Sequence, residues 1–225
     1  MAKGVGLMSL NLPTFRSDEE NEKRFAEYEA MIENEKRLKA QKRYEATGVP
    51  QKFYKEDINT FIAHTQEEKH NKNITEQFMA APKNRVLIMC GNNGNGKSHL
   101  ACSILRNTNG LYITSCDLCI EYESATSYNA PRTRQTMLLA MLKPDVLVID
   151  ECRKYTLHPD LEKFILSYVG NARYENNKAT VYVTNDSKSS FVEFLGKSTF
   201  DRLTEVCTTL EFTQKSKRWE KRKDD

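Results

Sequence analysis

Gly91-Asn92-Asn93-Gly94-Asn95-Gly96-Lys97-Ser98 follows the apolar run Arg85-Val86-Leu87-Ile88-Met89-Cys90 and precedes His99-Leu100-Ala101-Cys102-Ser103-Ile104-Leu105. The octet fits G-x-x-x-x-G-K-[ST] without a mismatch, and its flanks read as a buried strand on one side and a helix on the other. Glycines at these positions let successive backbone N–H groups turn inward around a phosphate, and a helix N-terminus adds its positive end. Lys97 then has the reach for β- and γ-phosphates, the Ser98 hydroxyl suits Mg²⁺, and His99 continues the nucleotide-binding run. The stretch predicts a nucleoside triphosphate site.

Downstream the pattern alternates between strand and helix. Short apolar strands are expected at 111–114, 145–151, 179–184 and 207–212. Helices are expected near 115–124, 133–142, 161–173, 191–195 and 199–203. Such alternation specifies an α/β fold with a parallel central sheet flanked by helices. The near-continuous run Val146-Leu147-Val148-Ile149 suits a strand covered on both faces. It ends in Asp150-Glu151, a carboxylate pair suited to holding Mg²⁺ and polarising an attacking water, in that order. Asn185 ends the next strand and would lie beside Asp150 if the two strands pair, where its amide can meet the γ-phosphate and the water.

Upstream, Ser17-Asp18-Glu19-Glu20 reads as a capping box that starts a helix running to about Ala46. Thr47-Gly48 ends it, with Pro50 just beyond. Acidic residues crowd its first half and basic residues its second, which complements the helix dipole. Phe25, Tyr28 and Ile32 form an apolar stripe too thin for a core helix, so a partner-docking role is expected. Residues 55–80 carry two further helical patterns, the first around Ile58, Phe61 and Ile62, the second around Ile74, Phe78 and Met79.

The chain has 225 residues, 39% of them hydrophobic and 29% charged, with a net charge of +3. It has the length for one good-sized domain plus an appendage, and no apolar run long enough to span a membrane. The N-terminus lacks the apolar core of a signal peptide, and six scattered cysteines suit reduced thiols in a cytoplasmic protein. Cys116-x-x-Cys119 has no second pair to complete a metal site.

Together these motifs resemble the AAA+ ATPases, and within them the DnaC/IstB-like helicase-loader family. The resemblance covers roughly residues 48–212. It rests on the phosphate-binding octet, on Gly48-Val49-Pro50-Gln51-Lys52-Phe53, on Leu147-Val148-Ile149-Asp150-Glu151, on Thr184-Asn185 and on Asp201-Arg202-Leu203. It implies a P-loop ATPase in which Arg202 reaches a neighbouring subunit's ATP site in trans, so that self-association completes the catalytic centre. It also implies that Phe53 and its neighbours lie against adenine, and that 116–142 carries an extra helix lining a single-stranded DNA channel. Tyr122, Tyr128, Arg132 and Arg134 are the DNA-contact candidates there. Lys217, Arg218 and Trp219 in the tail add basic and stacking character. The expected division is a docking region over 1–47, an ATPase domain over 48–212 and a basic tail over 213–225. The expected function is ATP-dependent loading of a replicative DnaB-type helicase onto single-stranded DNA, with slow hydrolysis acting as a release switch. A transposition helper of the IstB type is the alternative within the family, separated by the character of the N-terminal region. A small-molecule kinase would need an Arg-rich lid and has no use for Glu151. A GTPase would need Asn-Lys-x-Asp where this chain has Asn185-Asp186-Ser187-Lys188. A nucleotide-gated adaptor without turnover is the remaining class.

Overall fold

In the computed structural model, residues 18–125, 132–155, 157–214 and 216 are described. The chain divides into two compact units, Met1–Ala40 and Gln41–Asp225. Helix α1 (Asp18–Glu45) begins in the first and ends in the second. Ser17, the expected N-cap, lies outside the described residues. Phe25 and Tyr28 are exposed on α1, while Ile32 is partly covered. The helix stops where Gly48 takes φ +83° and the Thr47 hydroxyl donates back to the Tyr44 carbonyl.

The second unit is built on five parallel strands: β1 (Val86–Gly91), β2 (Gly110–Thr114), β3 (Val146–Cys152), β4 (Ala179–Thr184) and β5 (Cys207–Phe212). Their order across the sheet is β2-β3-β4-β1-β5. Side chains alternate between two cores. Leu87, Met89, Val146, Val148, Val181 and Val183 join the cluster under α2 (Gln66–Ala80) and α3 (Lys97–Ile104). Val86, Ile88, Leu147, Ile149 and Tyr182 face the opposite cluster. That second core is covered by α4 (Ser115–Ser124), α5 (Arg134–Leu142), α6 (Pro159–Glu175), α7 (Lys188–Leu195) and α8 (Lys197–Leu203). Burial on both faces explains why β1, β3 and β4 read as unbroken apolar runs rather than as alternating strands. The expected α/β architecture, with a long charged helix in front, is therefore the observed one.

This topology fixes where a ligand can bind. After β1 the chain crosses toward β2 over one face; after β4 it crosses to β5 over the other. Adjacent strands whose connections part in opposite directions leave a crevice at their carboxyl ends. The octet at the end of β1 and Asn185 at the end of β4 both open onto that crevice.

One expectation fails. Residues 55–64 form turns rather than a helix, and only α2 forms in this region. Asp57 accepts hydrogen bonds from the backbone and side-chain nitrogens of Asn59, and the Thr60 hydroxyl bonds to both the N–H and the carbonyl of Asp57. These local bonds satisfy the backbone in a turn and compete with the helix. Regular structure resumes at Thr65, where a reciprocal bond pair with Glu68 starts α2.

Candidate nucleotide-binding site

The octet leaves β1 with positive φ at Gly91, Gly94 and Gly96, at +119°, +79° and +88°. A side chain at Gly91 would put its Cβ 2.3 Å from the Phe212 carbonyl oxygen. The asparagines between the glycines hold the loop to the exit of β5. Asn92 N–H donates to Phe212 O at 3.1 Å, and the buried Asn95 amide donates to Phe212 O and Gln214 O. Asn92 and Asn95 thus shape the loop from outside, whereas Asn93, Gly94, Gly96, Lys97 and Ser98 line the cavity that it encloses. The Lys97 ammonium donates to the carbonyls of Gly91 and Asn92 at 2.8 and 2.5 Å, which keeps it inside the loop.

The cavity has a volume of about 500 Å³, and its floor is made by the exits of three neighbouring strands. Asp150 and Glu151 enter from β3 and Asn185 from β4, since β3 and β4 pair in parallel. A register shift between Ile149 and Cys152 marks a bulge there, with φ +57° at Glu151 and +67° at Arg153. Such a bulge re-aims a side chain at the end of a strand. The turn beyond it is held by Glu162 of α6, whose buried carboxylate accepts from the Arg153 N–H at 2.6 Å and from the Ser115 hydroxyl. Desolvation pushes the Glu162 carboxyl above the usual carboxylate range, opposed by these bonds. Arg153 crosses to Asp186 at 2.8 Å and to the Ser190 hydroxyl at 2.9 Å, tying the β3 turn to the segment after Asn185. Lys154 lines the same cavity and meets Glu151 at 2.9 Å.

The remaining wall comes from the turns at 53–64, including Phe53, Glu56, Thr60 and Phe61. His99 fastens this wall to α3. Its Nδ1 lies 2.7 Å from a Glu56 carboxylate oxygen, its Nε2 lies 2.8 Å from the Asp57 carbonyl, and the Phe61 ring meets it edge-on. Reading 55–64 as helix concealed Glu56, Thr60 and Phe61, whereas Phe53 and His99 were expected; the signal that would have revealed the three is Asp57 two residues before Asn59 and three before Thr60. Lys154 carries no motif beyond its i+3 spacing from Glu151.

Arg202 does not line this cavity. It is more than half exposed and lies 3.8 Å from Glu175, the last residue of α6. That helix starts near the exit of β3 and runs 17 residues, roughly 25 Å, back toward the amino-terminal ends of the parallel strands. Tyr122 lies half-buried, with the Arg134 guanidinium over its ring at 4.7 Å and Phe164 beside it at 6.3 Å; Arg132 is exposed. Tyr128, Lys217, Arg218 and Trp219 lie outside the described residues. Among the described residues no group of three or more His, Cys, Asp or Glu side chains can hold a metal ion, and Cys116 and Cys119 are free thiols. No helix among them is long and apolar enough to cross a membrane.

The arrangement suits a triphosphate: inward-turned backbone at a helix N-terminus, one lysine within the loop, and carboxylates facing it across the cavity. The Ser98 hydroxyl and the Asp150 carboxylate are hard oxygen donors of the kind Mg²⁺ selects. The sequence profile of the IstB-like ATP binding proteins matches residues 12–225. The chain belongs to that family. No curated protein matches it in sequence. Among solved structures, that of the DnaC helicase loader is similar with a TM-score of 0.63 at 19% identity, covering 73% of this chain and all of that one. DnaI follows with a TM-score of 0.59 at 16% identity, over 75% of this chain and 94% of that one. The replication initiator DnaA bound to AMPPCP and single-stranded DNA gives 0.60 at 13% identity, over 78% of this chain and 56% of that one. At these identities the likeness is one of fold. The IstB-like chain is thus an ATP-binding protein of the AAA+ type.

Proposed function

We propose that this protein is an ATPase that loads a replicative, DnaB-type hexameric helicase onto single-stranded DNA, with ATP as the assembly and release switch. The observation that carries the reading is the convergence of Lys97, Ser98, Asp150, Glu151 and Asn185 on one cavity beneath the phosphate-binding loop. Lys97 and the loop amides bind the phosphates; Ser98 and Asp150 would hold Mg²⁺, which would supply charge neutralisation at the triphosphate. Glu151 takes a proton from the attacking water, and Asn185, between the loop and Glu151, orients that water. Arg202 completes the site of a neighbouring copy. This fits its exposure and its place beside Glu175, at the end of α6 away from its own cavity. Phe53 and the 53–64 wall take the base.

The loader reading draws on α1, a long charged helix with exposed Phe25 and Tyr28, as the docking element of a region 1–47. It draws also on the coverage of the whole DnaC structure by this chain. The region 48–212 is the ATPase, and 213–225 together with Tyr122, Arg132 and Arg134 contacts DNA. A second reading, a helper ATPase for a transposase, is favoured by the family profile itself. The test is transfer of a DnaB-type helicase onto closed circular single-stranded DNA. Loading that requires this protein and ATP supports the proposal. No loading, with ATP-dependent recruitment of a transposase to duplex DNA instead, favours the second reading.

A further inference from the structure

Asp150 sits at the exit of β3 with only 3% of its surface exposed and a donor on each carboxylate oxygen. The Glu151 N–H donates to Oδ1 at 2.6 Å, and the Tyr112 hydroxyl donates to Oδ2 at 2.8 Å. Tyr112 belongs to β2, where it pairs with Val148 and stands two residues before the partner of Asp150. Both side chains therefore point to the same face of the sheet as diagonal neighbours, a separation that a long aromatic side chain spans. Only 7% of Tyr112 is exposed, and its ring belongs to the same core as Tyr44, Val49 and Leu105. Its backbone is held from the other edge as well. The Tyr112 N–H donates to the Thr47 carbonyl at 2.7 Å, and a Cβ at Gly48 would fall 2.8 Å from the Tyr112 carbonyl oxygen. The phenol is thus fixed at its ring and at its backbone, with its one polar atom on the carboxylate that faces the phosphate-binding loop.

We infer that Tyr112 is a positioning residue for the metal-binding carboxylate: its hydroxyl fixes the rotation of Asp150 so that the remaining lone pairs face the metal. The inference rests on the reading of Asp150 as the Mg²⁺ carboxylate. A carboxylate gripped on one oxygen turns freely about its last torsion; one gripped on both does not, and a ligand held in its binding orientation gains affinity. Nothing in the sequence marks this tyrosine, since its distance from Asp150 in the chain carries no motif.

The test uses the full chain with ADP and titrates Mn²⁺, followed by its electron paramagnetic resonance signal, in wild type, Tyr112→Phe and Asp150→Asn. Nucleotide affinity in EDTA and the thermal unfolding midpoint are read on the same samples. Tyr112→Phe keeps the ring and removes the hydroxyl. It is expected to weaken Mn²⁺ binding by about tenfold or more, with nucleotide affinity in EDTA unchanged. Unchanged Mn²⁺ affinity in Tyr112→Phe alongside a loss in Asp150→Asn overturns the positioning role alone. Unchanged affinity in Asp150→Asn overturns the reading of Asp150, and the positioning role with it. Failure of Tyr112→Phe to fold, or loss of its nucleotide binding in EDTA, makes the bond structural and also overturns the inference.

Discussion

Glu151 and Lys97 both face the cavity, yet their removal is expected to have opposite signatures. Lys97 sits inside the phosphate-binding loop, so Lys97→Ala is expected to weaken ATP binding by roughly ten- to a hundredfold, the worth of one or two charge-assisted bonds. Glu151→Gln preserves the shape of the bulge while removing the carboxylate proposed as the base. Binding should persist and turnover should fall by about 10²- to 10⁴-fold. Calorimetric ATP titration and single-turnover hydrolysis on the two variants separate these effects, and equal losses of affinity would contradict the division of roles. Asn185 and Lys154 differ in how they can be found. Asn185 ends a strand whose extent was readable from its apolar run, whereas Lys154 is placed at Glu151 by a bulge with two positive-φ residues that no local pattern announces.

Among the elements, α6 (Pro159–Glu175) runs between the two ends of the strands in the second unit. At its C-terminal end Arg173 is fully buried and donates to the carbonyls of Met141, Pro144, Asp145 and Ala179 and to the Thr180 hydroxyl. Arg173→Met strands those carbonyls and is expected to cost about 3 kcal/mol or more in urea unfolding. At its N-terminal end Glu162 behaves differently. Its folded-state carboxyl titrates above its unfolded value, because burial disfavours the charge. The folded state therefore binds protons more readily in the window between the two values, and stability attributable to this group falls as pH rises through it. Glu162→Gln retains an acceptor for the Arg153 N–H and removes the buried charge. It should be as stable as wild type or more so at pH 7, by about 1 kcal/mol or less, and the difference should shrink in acid. Denaturant midpoints at pH 7 and pH 4.5 check this; a variant markedly weaker at pH 7 would contradict it. The elements were legible in the sequence wherever burial on two faces wrote an unbroken apolar run, as at Val146–Ile149; the cap at Thr65 that starts α2 was not read there. They were not legible at 55–64. There Ile58 and Phe61 mimic a helical stripe, while Asp57 and Thr60 take the backbone bonds a helix would need.

For the whole molecule, the proposal makes activity a property of assemblies. Arg202 lies at the far end of α6 from its own cavity, so a lone copy should bind ATP and hardly hydrolyse it. Single-stranded DNA and the helicase should raise turnover by favouring assembly. Arg202→Ala should lower it by about 10³-fold or more while leaving ATP affinity intact. The most direct measurement is ATP turnover against protein concentration for wild type, Arg202→Ala, Glu151→Gln and an equal mixture of the two variants. Site completion in trans predicts turnover per copy that rises with concentration in wild type, two nearly inactive variants, and recovery in the mixture, where Glu151→Gln subunits lend Arg202 to intact sites on their neighbours. Concentration-independent turnover, or a mixture no more active than its parts, would contradict it.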